Sequence, residues 1–149
     1  MTWICSQIGA REHYSVPRML NSHGKLESFY TDFWSGKLSH LLNNIPLKHA
    51  KTLSSRYHRD MTHQKVISQN LQALIWEKKK QSYRNIYDYY IDRGHFFSKW
   101  TESQLKKRKL ANVSHFFSYD TGFLEAAEFC KTQGIKTVLG QMDPGVTEQ

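Results

Sequence analysis

The sequence predicts an α/β domain on an open, mostly parallel sheet, with a helical, basic segment in its middle. Three observations predict it. Short apolar runs of strand length stand near both ends of the chain, each followed by a turn signal and then a helix-period segment. The 149 residues match one domain and suffice to bury a real core. The net charge of +8 is concentrated: residues 48–109 carry 15 Lys/Arg and 5 Asp/Glu, and the remainder 6 and 8.

The elements follow in order. Trp3 to Ile8 is an apolar run closed by Gly9, the pattern of a buried strand. Pro17 suits a first helical turn and Gly24 a helix end, so residues 17–23 read as a helix. Leu26 to Thr31, rich in aromatics and Thr, reads as the second strand, which completes a βαβ outline. Residues 36–112 form the helix-rich basic segment. Within it the stretch from Gly36 to Arg59 reads as loop with short helices. Val66, Ile67, Leu71, Leu74 and Ile75, then Ile86, Tyr87, Tyr90 and Ile91, recur at helical steps, and Gly94 reads as their stop. A short basic helix is expected from Glu102 to Leu110. Ser114 to Tyr119 is a strand, Asp120 and Thr121 stand where a helix N-cap belongs, and Phe123 to Cys130 has helical period ending at Gly134. Lys136 to Gly140 is the last strand, and Asp143-Pro144-Gly145 a turn.

Several functions are excluded by what the residues lack. There is no G-x-G-x-x-G and no G-x-x-x-x-G-K-[ST], which argues against a dinucleotide oxidoreductase or a P-loop ATPase. The eight His residues show no zinc spacing, and Ser6, Ser118 and Cys5 lack a nucleophile elbow. Cys5 and Cys130 read as buried free thiols, which favours a reducing, cytoplasmic setting. No signal peptide and no membrane span is expected.

Candidate binding residues cluster at predicted strand ends, where open parallel sheets hold ligands. Gly9 and Ala10 allow close backbone approach, and Arg11 and His13 beside them suit an anionic or sugar ligand. Asp32 follows the second strand, where an acid can hold a sugar hydroxyl. Tyr119 and Asp120, then Gln141 and Asp143, end later strands and face the same crevice. Lys78-Lys79-Lys80 and Lys106-Lys107-Arg108-Lys109 read either as solvated helix faces or as contacts for a polyanion. With the aromatics beside them, an anionic membrane surface accounts for both features more economically than nucleic acid does.

The strings Gly9-Ala10-Arg11-Glu12-His13-Tyr14 with Pro17-Arg18, Phe29-Tyr30-Thr31-Asp32, His115-Phe116-Phe117-Ser118-Tyr119 and Val138-Leu139-Gly140-Gln141-Met142-Asp143-Pro144 carry a resemblance. In this order, at strand ends, they resemble the N-terminal half of glycosyltransferase family 4, the group 1 enzymes of GT-B type. The resemblance implies a Rossmann-like, acceptor-side domain. Its partner is a second Rossmann-like domain of the same enzyme, and its substrates are a nucleotide-sugar donor and a glycan, lipid or small-molecule acceptor. No metal or other cofactor is implied. Gly9, Ala10, Arg11, His13 and Tyr14 take the turn near the donor diphosphate, and Asp32, Tyr119, Gln141 and Asp143 the cleft. The family's common His after the last strand has no counterpart, because Gln141-Met142-Asp143 stands there. Nothing matches the family's donor domain, so the chain is expected to be a fragment, inactive alone and peripheral at the membrane. The alternative expectation is a basic module for nucleic acid or anionic membrane, without catalysis.

Overall fold

A computed structural model describes residues 1–36 and 55–141. Five strands form one sheet: β1 (Thr2–Gln7), β2 (Leu26–Thr31), β3 (Val66–Ser68), β4 (Val113–Tyr119) and β5 (Lys136–Gly140). Their order is β3-β2-β1-β4-β5, and every pairing is parallel. The expected Rossmann-like open α/β architecture is therefore present. The chain steps outward from β1 to β2 and β3, then restarts on the other side of β1 with β4 and β5. The crevice between the carboxyl ends of β1 and β4 is the topological switch point.

The helices are α1 (Ser15–Ser22), α2 (Asn70–Lys79), α3 (Ile86–Lys106) and α4 (Leu124–Thr132). Alternation along the strands divides the core into two layers. Ile4, Tyr30 and Phe116 point to one face, where Leu105 of α3 and Ala126, Ala127 and Cys130 of α4 cover them. Cys5, Phe29, Phe117 and Tyr119 point to the other, against Tyr14, Leu20 of α1 and Met61. Both cysteines are free and buried, and burial raises both thiols, Cys130 to about 12. No described helix is long and apolar enough to cross a membrane.

The flanks match expectation to within a residue or two, and the middle does not. Val66 and Ile67 belong to β3, because parallel pairing with Phe29 and Tyr30 overrides their helical spacing to Leu71. Gly94 does not stop a helix. It lies buried inside α3, and a Cβ there would come within 3.3 Å of the Gly122 amide nitrogen. The missing side chain is what lets α3 close on the turn after β4. The separate basic helix from Glu102 is instead the last stretch of α3, which ends at Lys106. Asp120 does not cap α4: its Oδ1 accepts from the Thr121 N–H at 2.7 Å, and the helix begins only at Leu124. Most of the unreadable stretch from Gly36 lies outside the described residues.

Gly122 sits at φ +95°, and a Cβ there would meet Phe97 Cδ1 at 2.8 Å. Phe97 is buried and cannot yield. Gly134 has φ +73° with nothing within 4 Å. Gly122→Ala is expected to lower stability by about 3 kcal/mol, adding overpacking to backbone strain, and Gly134→Ala by about 1 kcal/mol. Urea denaturation of the two variants measures the difference.

Candidate functional site: the crevice above β1, β2 and β4

The turn after β1 is held from below. Gln7, buried at the strand's end, donates through Nε2 to the Gly9 carbonyl at 2.8 Å and lies 3.4 Å from that of Arg11. The Gly9 N–H donates to Asp32 Oδ1 at 2.8 Å. Gly9 has φ +81°, and a Cβ on it would lie 2.9 Å from Arg56 Nη1. Glycine is required here by a neighbouring guanidinium as well as by the turn.

Three residues without the freedom of glycine follow in left-handed backbone: Glu12, His13 and Tyr14 at φ +47°, +49° and +62°. Each costs roughly 1–2 kcal/mol against the right-handed form. The surroundings hold them there. Tyr14 is buried, edge-on to Phe29 and Trp34 at centroid distances of 5.6 and 5.2 Å. The Glu12 carboxylate accepts from Ser15 Oγ at 2.9 Å and Tyr119 Oη at 3.1 Å. Burial and that carboxylate push the Tyr119 phenol up to about 12, so it stays a donor. A run of strained residues next to a switch point is where function is expected to hold strain.

Asp32 joins three parts of the chain. Besides Gly9, it accepts from Arg93 Nη2 of α3 at 2.7 Å, and Arg56 Nη1 lies 3.7 Å from Oδ1. Its side chain is only 5% exposed. Arg93 also reaches Tyr89 Oη at 3.1 Å and Glu77 at 3.4 Å. Arg56 Nη1 and Tyr14 Oη are both buried and make no well-aligned hydrogen bond among the described residues. Burial raises the Tyr14 phenol, with the Arg56 charge pulling the other way.

The structure brings Gly9, Arg11, Asp32 and Tyr119 together around the crevice. Arg11 donates to Thr121 Oγ1 at 3.2 Å and lies over the Tyr119 ring at 5.7 Å. These contacts set a guanidinium beside the carboxyl end of β4. Ala10 packs on the α1-side core. His13 is exposed, Tyr14 points into the core, and Gln141 is exposed past β5. Asp143 lies outside the described residues. Gln7, Arg56, Arg93 and Thr121 are additional members of this cluster. Nothing in the sequence separates Arg56 and Arg93 from the other basic residues around them. Only Gln7, polar at the end of an apolar strand, carries a local signal. Among the described residues no three His, Cys, Asp or Glu side chains gather as a metal site.

Removing one partner from a buried charge cluster leaves the others uncompensated. Asp32→Asn is expected to cost about 3 kcal/mol. Lys106→Ala, which removes an exposed i,i+4 pair with Glu102, is expected to cost about 0.5 kcal/mol. Chemical denaturation of both variants at neutral pH checks the ordering.

Comparison of the chain with protein-family models, with curated proteins and with solved structures finds no match, so the meaning of this crevice rests on its own geometry.

Proposed function

We propose that the chain is the acceptor-side half of a glycosyltransferase that moves a sugar from a nucleotide-sugar to an acceptor, with a second Rossmann-like domain closing the cleft. The observation that supports this best is Arg11, set by a strained turn at the switch point between β1 and β4. In such a transfer the bond from the sugar's anomeric carbon to the diphosphate breaks. A bond to the acceptor oxygen forms, and the acceptor's proton leaves. Negative charge grows on the departing diphosphate, and a fixed guanidinium stabilises that charge more than it stabilises the bound donor. The hydrogen bond to Thr121 and the ring of Tyr119 hold Arg11 ready for this. Gly9 takes a supporting role, since its N–H is already engaged by Asp32. The test is nucleoside diphosphate release from UDP-, GDP- and ADP-sugars by the full product of the coding region. Arg11→Ala is expected to lower kcat/KM by about 100-fold without changing the melting temperature. A stop codon directly after Gln149, with no neighbouring second domain, overturns the proposal.

A second reading, contact with an anionic membrane, has its own observation. Ile86, Tyr87, Tyr90 and Ile91 lie exposed along one side of α3, at one- and four-residue spacings, close in sequence to Lys78, Lys79, Lys80 and Arg84. Exposed apolar side chains beside cations suit an interface of lipid headgroups. Co-sedimentation with phosphatidylglycerol vesicles but not phosphatidylcholine vesicles is the expected outcome, and loss of it in Tyr87→Glu/Ile91→Glu identifies the face.

A further inference from the structure

A cavity of about 630 Å³ opens beside the carboxyl end of β2, between the Asp32 cluster and α2. That is the size of a small-molecule site. Its lining is divided. Phe33, Ala73 and Leu74 form an apolar wall, and Arg56, Arg93, Lys78 and Lys80 bring four positive charges against Asp32 and Glu77.

The charges are not equally engaged. Arg93 is satisfied by Asp32, Tyr89 and Glu77, so it serves as structure. Arg56 stands 3.7 Å from Asp32, and its buried Nη1 makes no well-aligned hydrogen bond among the described residues. Lys78 has no carboxylate within ion-pair distance among the described residues, and Lys80 only rests near the rings of Tyr89 and Tyr90 at 6.0 Å. The pocket thus holds a positive surplus and an under-used guanidinium at its inner end. The apolar wall shields the Arg56 end from water more than the exposed Lys78 and Lys80, so the attraction for an anion is strongest there.

We infer that this pocket binds a small molecule carrying an oxyanion, a phosphate or a carboxylate, with its body against Phe33, Ala73 and Leu74. Arg56 offers the planar fork that fits such a group, and Lys78 and Lys80 close over it as point charges. Resting on the glycosyltransferase reading, this ligand is the acceptor, which is then an acidic or phosphorylated sugar rather than a neutral one.

The experiment is direct binding to the full chain by calorimetry and amide chemical shifts. The probes are inorganic phosphate, glucose 6-phosphate and glucuronate, with glucose as the neutral control. Binding of at least one anionic probe, shifting Phe33, Ala73 and Leu74 and weakening with salt, is expected. Lys78→Glu/Lys80→Glu, both exposed positions, should raise its Kd at least about tenfold while leaving the fold intact. Arg56→Lys tests the fork separately. Phosphate against glucuronate distinguishes the two oxyanions, and phosphate against glucose 6-phosphate shows whether the apolar wall contributes. No binding by any anionic probe, or binding unchanged by the lysine double variant, overturns the inference. Binding of an anionic probe by the unmodified protein with no diphosphate release from any nucleotide-sugar overturns the transferase reading and leaves this pocket standing, whereas diphosphate release without anionic-probe binding does the reverse.

Discussion

The carboxylate of Asp32 is the constraint on which the working end of this molecule depends. One buried group terminates β2, receives the Gly9 amide from the turn after β1 and holds α3 through Arg93. It also lies beside Arg56, whose Nη1 is 3.7 Å from its Oδ1. A buried anion is costly unless donors surround it, and here the donors come from segments far apart in sequence. The left-handed turn, the glycine at its start and the inner end of the basic cavity all take their positions from that one neutralisation.

The opposite end of β2 carries a second charged knot. Arg108, just past α3, donates to Ser28 Oγ and Tyr30 Oη at 2.9 and 2.8 Å and pairs with Glu27. Strand β2 and the residue after it are thereby tied once to α3, through Asp32 to Arg93, and once to the chain just past α3, through Glu27 to Arg108. Between the two ties, Leu105 and Trp100 pack on the sheet, and Gly94 lets the helix approach Gly122. The 21-residue helix is fixed in register along the sheet as well as against it.

The two flanks of the fold were legible because each strand there is long enough to show its apolar run and ends in a glycine or a turn. The middle was not. Strand β3 has only three residues, too few for a period, and its pairing with β2 is a tertiary fact. The apolar positions used to read α2 and α3, among them Leu71, Tyr87 and Ile91, are largely exposed, whereas Ala73, Trp76, Tyr89 and Phe97 supply the buried face. Gly94 carried a stop signal by composition that helix packing reverses. In the site, Gly9, Arg11, Asp32 and Tyr119 could be found by asking what stands at strand ends. Arg56 and Arg93 could not, since a basic residue in a basic stretch announces nothing about which carboxylate it will meet.

The position of β1 in the sheet has a consequence for how the chain reaches this state. It precedes the other four strands in the chain and is the central one, with β2 on one edge and β4, completed only at Tyr119, on the other. A growing chain can pair β1 with β2 early, but the second edge stays open until the whole basic middle has been made. Such long-range parallel pairing closes a large loop before any contact rewards it, and it folds slowly. Trp3 stacks on His115 at 4.3 Å across that late seam. Until then a strand rich in apolar residues presents bare hydrogen-bonding groups to any other strand it meets, so assembly in the cell is a race between closure by β4 and capture by a neighbour.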